Sequence, residues 1–438
     1  MNLLYNIYKI LTAVLFLILF PAFWSYTRIS NRHGGNLKER LGLIPASIIN
    51  KLSGSPRIWI HAASLGEVKV ADAIIKSLKS SIPACSVIIS TNTESGRNMA
   101  KRALTNSVPV IYAPIDLAYS VRKALHIIHP DILVFLETEI WPAWIMEAKK
   151  MGVKTALVNG RISTRSIKGY SKLKPFFQGI LRNIDAFSMI MDHDSSRIKA
   201  LGAPSDKVMI NGNAKYDLLP ELADPLIKTE IAHCLNLDEN SLVIIAGSTR
   251  SGEEALLIRV YEKIEKKFPG AIIIIAPRHI ERVQDIGRLI TQKGHRFQLR
   301  TEFQNNSSKR KENIIILNTF GELFNFYSIA TLIFCGGSLV PLGGQNPLEP
   351  AAWGKPVFYG PHMDNFLDAK SLLEKNNASI SVSGPDELAT EMIGLLQDTK
   401  KMEEYESRAY QTVSQNSRMA ERHANVILNL IQPLNRNI

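Results

Sequence analysis

At 438 residues the chain is too long for one ordinary hydrophobic core, so two or three domains are expected. A composition that is 45% hydrophobic and 21% charged excludes a disordered or fibrous chain. The 52 Lys and Arg against 40 Asp and Glu, a formal charge of +12, suit an anionic partner such as a membrane surface or a phosphorylated substrate. The basic residues are scattered, so nucleic acid is not the expected partner. Cys85, Cys234 and Cys335 have no metal-binding spacing and suit a reducing compartment, with Cys85 and Cys335, in or beside apolar strands, expected as small buried hydrophobes.

Residues 10–27, ILTAVLFLILFPAFWSYT, carry no charge and sit at the short end of a membrane span. Trp24 and Tyr26 suit an interface. Arg28, Arg32, Lys38 and Arg40 follow the segment and only Lys9 precedes it, which places the rest of the chain on the cytoplasmic side. The bulky PAFWSY lacks a small-x-small cleavage pattern, so residues 1–30 are expected to form an anchor rather than a signal peptide. A helix lying in the membrane surface, kinked at Pro21, is the second reading.

After the polar stretch NRHGGNLKERLG (31–42), apolar runs alternate with helical patterns. The runs are RIWIHAAS (57–64), SVIISTN (86–92), VPVIYAP (108–114), DILVFLETE (131–139), KTALVNG (154–160), AFSMIMD (186–192) and KVMINGN (207–213). A second series follows Pro220 and Pro225: LVIIAGS (242–248), AIIIIAP (271–277), HRFQLR (295–300), NIIILN (313–318), LIFCGGS (332–338), PVFYGP (356–361) and ASISVS (378–383). Near-continuous apolar strands separated by helices indicate parallel sheets covered on both faces. The expected class is therefore α/β, with two doubly wound, Rossmann-like domains facing across a cleft, at 31–218 and 226–438. The basic stretch TEFQNNSSKRKEN (301–313) reads as a solvated loop, and 385–432 as helices.

Ligands of such sheets gather where strands end and helices begin. Ser64–Glu67, Thr91–Glu94 and Ser251–Glu254 each have capping-box spacing at a junction of this kind. The longest glycine-rich junction is GGSLVPLGGQNPLEPAAWG (336–354). Here Asn346 is expected as N-cap, Pro347 as the first helical residue, Glu349 as the third, and Gly354 as the stop. Glu349 has two readings, one as a cap and one as a ligand for ribose hydroxyls at an anion-binding helix start.

There is no phosphate loop of the G-x-x-x-x-G-K-[ST] kind, no dinucleotide G-x-G-x-x-G after the first strand and no G-x-S-x-G elbow. In Asp192-His193-Asp194, Asp194 is expected to cap a helix rather than bind metal, and His61, His279 and His362 lack ligand spacing. The remaining reactive candidates are Glu39, just past the apolar segment, Glu137 and Glu139 at a strand end, and Lys215 and Arg278 at strand ends. A carboxylate can act as general base, and Arg with Lys can stabilise a departing phosphate. For Glu39 alone, a surface ion pair with Arg40 or Arg32 is the competing reading.

Taken together, GGNLKERLG (34–42), HAASLGEV (61–68), STNTESG (90–96), ETEIWP (137–142), NGRIS (159–163), GNAKYD (212–217), AGSTRSGEE (246–254), APRH (276–279), TFGELFNFY (319–327) and the 336–366 stretch resemble the 3-deoxy-D-manno-octulosonic acid (Kdo) transferases, glycosyltransferase family 30. The resemblance implies a GT-B fold with the donor CMP-Kdo in the C-terminal domain. The implied acceptor is a tetraacylated lipid A precursor at the cytoplasmic face of the bacterial inner membrane, and the implied reaction is inverting and needs no metal or other cofactor. It makes Glu39 the catalytic base and gives Glu137 and Lys215 assisting roles around sugar and phosphate. It assigns Ser248, Arg278, Gly321, Glu322, Gly337, Asn346 and Glu349 to CMP-Kdo. Anionic inner-membrane lipids are further expected partners. A nucleotide-sugar epimerase or hydrolase of the same fold is the alternative.

Overall fold

The computed structural model describes residues 3–29, 37–104, 108–303, 309–416 and 418–431. Arg32, the start of the GGNLKERLG block and residues 304–308 of the basic loop lie outside these, as do the side chains of Trp24, Tyr26 and Arg28.

Helix α1 runs from Leu3 to Ile29. It begins before the uncharged run and includes Lys9, because Leu3, Leu4 and Tyr5 continue the apolar pattern toward the N-terminus. Its stretch Leu3–Ala22, with mean hydropathy 2.1, is long and apolar enough to cross a membrane by length and composition. A single turn, α2 (Leu37–Arg40), follows.

The chain then forms two compact units, Met1–Lys215 with Arg418–Ile438, and Tyr216–Ser417. The first is built on β1 (Arg57–His61), β2 (Ser86–Thr91), β3 (Val110–Tyr112), β4 (Ile132–Leu136), β5 (Lys154–Gly160), β6 (Ala186–Met189) and β7 (Val208–Ile210). They form a parallel sheet in the order β3-β2-β1-β4-β5-β6-β7. The second is built on β8 (Val243–Thr249), β9 (Ile272–Pro277), β10 (Gln298–Leu299), β11 (Ile314–Ile316), β12 (Leu332–Cys335), β13 (Val357–Tyr359) and β14 (Ser379–Ser381). Its parallel order is β10-β11-β9-β8-β12-β13-β14.

Apart from Thr249 at the end of β8, each strand lies within one of the apolar runs, because central strands buried on both faces cannot alternate with polar residues. β2 and β4 are buried at every position. In each sheet the order reverses beside the first strand, between β1 and β4 and between β8 and β12. Neighbouring crossovers leave in opposite directions at such a point, which opens a crevice at the carboxyl ends of the strands.

One boundary differs from the expected 226–438 domain. The last helix, α9 (Met419–Ile431), packs on the first unit, against the helix Leu65–Ser81 (α3) and strands β4, β5 and β6. Its buried Ala424, Val426 and Ile427 face that sheet, and His423 ties it down. His423 Nε2 lies 3.0 Å from the Gly212 carbonyl, so it donates there. Its Nδ1 then accepts from Ser188 Oγ at 2.7 Å and Asn159 N at 3.4 Å.

Candidate active site

At the carboxyl edge of the first sheet, β1 ends in His61, fully buried between the rings of Trp141 and Trp144 at 5.7 and 5.0 Å. Its Nδ1 meets Ser90 Oγ at 3.0 Å, and its Nε2 lies 3.7 Å from Glu139 Oε2. Trp141 Nε1 also donates to Glu139. Burial works to raise the Glu139 pKa, but the bonds from His61 and Trp141 outweigh it and hold the carboxyl below its usual range.

Glu137 follows β4 in a left-handed conformation, φ 55°, and pairs with Lys215 Nζ. Such a φ is costly for a side chain of this size, and here it aims a carboxylate out of a strand end. Lys215 closes onto the start of α3, where a Cβ on Gly66 would stand 3.9 Å from its Nζ.

Glu67, in the first turn of α3, does not form the expected capping box. Its carboxylate accepts from Ala63 N and Ser64 Oγ, both at 2.8 Å, so it braces the end of β1 instead. Burial, reinforced by Glu137 and Glu139, outweighs these two bonds and raises its pKa to about 7. The sequence reading passed over Glu67 as a cap. The signal it missed is that a polar cap here faces two further carboxylates one strand away.

Glu39 is buried, not a surface residue paired with Arg40. Its Oε1 accepts from Arg97 Nη2 at 3.0 Å and its Oε2 from Tyr112 N at 2.7 Å. The Arg97 and Arg40 guanidinium groups lie over the Tyr112 ring, 4.3 and 4.9 Å from its centre. Arg40 Nη2 donates to Asn92 O at 2.7 Å, Asn92 N to Ala63 O at 3.3 Å, and Ala63 N to Glu67. Glu39 and the Glu67–Glu137–Lys215 group are thus neighbours along one sheet edge. Thr91–Glu94 is not a capping box either. The helix Glu94–Ala103 (α4) is capped by Thr93, whose hydroxyl accepts from Gly96 N at 3.1 Å.

In the second unit the loops after β8 and β12 interlock around Glu253, which the sequence reading missed. Fully buried, it accepts from the backbone N–H groups of Arg250, Gly337, Ser338 and Leu339 at 2.9, 2.6, 3.0 and 3.0 Å. Burial still raises its pKa against all four bonds. Ser251 and Glu254 do not make the expected box, since Glu254 begins the helix Glu254–Lys267 (α7) and is held by Thr249 Oγ1 and by both terminal nitrogens of Arg282. The doubled acid in GEE was the available signal, but only the folded loop shows which of the two turns inward.

Glycine is needed where these loops touch. A Cβ on Gly336 would stand 2.6 Å from the Ser248 carbonyl oxygen, and one on Gly247 would stand 2.0 Å from the Tyr327 hydroxyl. Ser248 and Gly337 both take positive φ, 53° and 72°, and Gly344 N donates to Gly337 O at 2.9 Å. Arg278, exposed after β9, is joined to the same edge by its N–H to Thr249 O at 3.0 Å. Gly321, at φ 88°, and Glu322 follow β11, the strand beside β9. Glu322 is held by Arg300 Nη2 at 3.2 Å and by the Thr319 hydroxyl.

The helix after the glycine-rich loop, α8 (Leu348–Ala352), starts one residue later than expected. Pro347 stands at the cap position with a hydrogen-bonding side chain unavailable to it. Asn346 Oδ1 instead accepts from Leu348 N at 3.1 Å, and Asn346 Nδ2 points to Glu349 Oε1 at 3.4 Å. The Asn346 side chain thus meets both the first turn of the helix and the Glu349 carboxylate. Asp194 is likewise not a cap. It is the third residue of its helix, Asp192–Ala200 (α6), and accepts from Ile162 N at 2.8 Å. Among the described residues no His, Cys, Asp and Glu group is arranged to hold a metal.

The structure therefore brings Glu137, Lys215 and Glu39 to one edge of the first sheet, and Ser248, Gly337, Arg278 and the Asn346–Glu349 pair to one edge of the second. Two doubly wound parallel sheets in succession, each with its polar side chains at the switch point, define the GT-B class. Residues 35–218 match the model of the family described as 3-deoxy-D-manno-octulosonic-acid transferase (kdotransferase). A 3-deoxy-D-manno-octulosonic acid transferase of Haemophilus influenzae is 30% identical over 411 residues, which are 93% of this chain and 94% of that one. A bifunctional glycosyltransferase/methyltransferase of Fusobacterium nucleatum is 36% identical over 321 residues, 73% of this chain but 49% of that protein. The UDP-GlcNAc 2-epimerase of Neisseria meningitidis shares the fold, with a TM-score of 0.60 at 14% identity, covering 85% of this chain and 99% of that one. The chain belongs to the Kdo transferase family and is a glycosyltransferase. Its likeness to the epimerase is one of fold alone.

Proposed function

We propose that the protein transfers Kdo from CMP-Kdo to a phosphorylated lipid A precursor, lipid IVA, at the cytoplasmic face of a bacterial inner membrane, with inversion at the anomeric carbon. The observation that supports this most is the relation to a Kdo transferase across 93% of the chain, which takes in both units.

In this reading CMP lies on the second unit's switch point. The Arg278 guanidinium meets the phosphate, the loops carrying Ser248 and Gly337 line the same edge, Glu322 and Glu349 accept from ribose hydroxyls, and the Asn346 amide donates to the sugar. Glu253 sets this surface without touching ligand, because its carboxylate consumes the inward N–H groups and fixes the direction of the rest.

The first unit takes the acceptor. Glu39 removes the proton from the acceptor hydroxyl as that oxygen bonds to the anomeric carbon. The bond from that carbon to the phosphate oxygen breaks, and CMP leaves with the electron pair. Arg97 and the Tyr112 N–H each occupy one Glu39 oxygen, so the carboxylate is oriented in advance and keeps lone pairs for the proton. The Glu137–Lys215 pair places a cation at the same edge for the anionic sugar and its departing phosphate. The protein's own cations can carry this charge, so activity is expected to persist in a chelator.

The test is CMP release from CMP-Kdo by the purified full-length protein, with and without lipid IVA, and mass spectrometry of the lipid. Lipid-dependent release and a lipid heavier by one or more Kdo units are expected. Donor turnover that ignores the lipid returns the hydrolase reading.

A further inference from the structure

Two arginines begin side by side at the carboxyl edge of the second sheet. Ser248 is bulged out of β8, which brings Thr249 level with Pro277 of β9, so Arg250 and Arg278 are the next residues on neighbouring parallel strands. The Arg278 N–H, donated to Thr249 O at 3.0 Å, joins the two chains there. The Arg250 N–H is held at 2.9 Å by Glu253, the buried carboxylate that also orders the β12 loop. Backbones of neighbouring strands lie about 5 Å apart, and like charges rooted that close repel unless a negative group lies between them.

The acids nearby are spent elsewhere. Glu253 is filled by backbone N–H groups, and Glu254 is taken up by Thr249 Oγ1 and both terminal nitrogens of Arg282. Among the described residues neither Arg250 nor Arg278 is paired with a carboxylate. The Arg250 guanidinium meets His279 instead, with Nη1 2.7 Å from the ring Nε2. Arginine can only donate, so that ring nitrogen accepts, and an imidazole accepting there carries no charge. His279 therefore aims the cation without cancelling it.

One side of that guanidinium is left to bond. Arg250 Nε is buried and lacks a hydrogen-bond partner among the described residues. A buried N–H is costly to leave unmatched. With Nη1 engaged by His279, Nε and Nη2 form the remaining side of the fork. Two parallel N–H groups at that spacing match the two oxygens of a carboxylate, which is planar as the guanidinium is.

We infer that Arg250 binds the carboxylate of the donor sugar through Nε and Nη2, with His279 as its positioning residue. This rests on the donor reading given above. In CMP-Kdo the anomeric carbon carries both the phosphate oxygen and the sugar's own carboxylate, so two anionic groups share one atom. Two cations rooted on neighbouring strands suit such a ligand, with Arg278 on the phosphate and Arg250 on the carboxylate. When the bond from that carbon to the phosphate oxygen breaks, Arg278 stays with CMP and Arg250 with the sugar. A nucleotide bearing a neutral sugar leaves Arg250 unmatched and is disfavoured.

The test is calorimetric binding of CMP and of CMP-Kdo, without acceptor, to the full-length protein in detergent. Arg250→Met should weaken CMP-Kdo binding about 10–100-fold, the loss of a charged hydrogen-bonded pair, and leave CMP binding within about twofold. Arg278→Met should weaken both. Arg250→Lys, which keeps the charge but not the fork, should lose part of the CMP-Kdo affinity and none of that for CMP. His279→Leu should show the same selective loss, and His279→Gln, which keeps an acceptor, should recover it. Equal losses of CMP and CMP-Kdo in both Arg250 variants, or unchanged CMP-Kdo affinity, would overturn the inference. Wild-type protein that does not bind CMP-Kdo would overturn the donor reading itself, so the two failures are distinct.

Discussion

Single carboxylates in this protein have roles that their neighbours in space decide. Glu39 is the residue for which a bland and a catalytic reading compete most evenly, since an Arg97 ion pair and an amide bond are also what a purely structural buried acid would have. Glu39→Gln keeps the shape and the Tyr112 contact, so the melting temperature should change little while transfer falls by a factor of about 10²–10⁴. Near-normal CMP release from that variant would return Glu39 to structure. Glu67 gives a pH signature. Burial raises its pKa in the folded protein to about 7, above the ordinary 4.5 of a glutamate. Its contribution to stability is therefore present in acid and lost as pH rises through 7. Urea unfolding of wild type and Glu67→Gln at pH 6 and pH 8 should show wild type losing about 1 kcal/mol relative to the variant over that interval. A constant difference would mean that Glu67 is not the titrating group.

Among the elements, the interlocked loops and the last helix carry the clearest consequences. The Gly336 Cβ position is closed by backbone, the Ser248 carbonyl at 2.6 Å, which cannot rotate away as a side chain would. Gly336→Ala should therefore force the β8 and β12 loops apart and weaken CMP binding at least about tenfold by calorimetry. Affinity equal to wild type would show that those loops do not frame the nucleotide. Helix α9 depends on a neutral His423, whose pKa burial lowers to about 4 from the ordinary 6.5. A depressed pKa means stability present above 6.5 and lost as pH falls toward 4. From pH 7 to pH 5 this histidine should remove about 2 kcal/mol from the first unit, and His423→Ala should be less stable at pH 7 yet flatter in acid.

Across the whole molecule, the chain leaves the first unit after Lys215 and returns to it at Arg418. The last helix thus covers a sheet laid down some 200 residues earlier, and its loss is felt far from the C-terminus. Truncation after Asn416 should lower the melting of the first unit by more than about 5 °C while CMP still raises that of the second. Calorimetric traces with unchanged first-unit melting would contradict the packing of α9.

The fourteen described strands and the doubly wound class were legible in the chain, because a central strand covered on both faces must be apolar along its whole length and the turns between strands must be polar. The glycine-rich junctions were legible too, since close approach of backbones admits little else. Three things were decided only by tertiary structure. One is the inward turn of Glu253 rather than Glu254, set by which N–H groups the β12 loop presents. Another is the return of α9 to the first unit, because helical periodicity states that a face is buried but not against what. The third is the fastening of the N-terminal end of α1 to the first unit, where the apolar run gives no sign that Tyr5 and Tyr8 are bonded to Glu147, in the helix Pro142–Lys150 (α5), and to Asp116. In each case the deciding partner lies far along the chain, and local pattern holds no record of it.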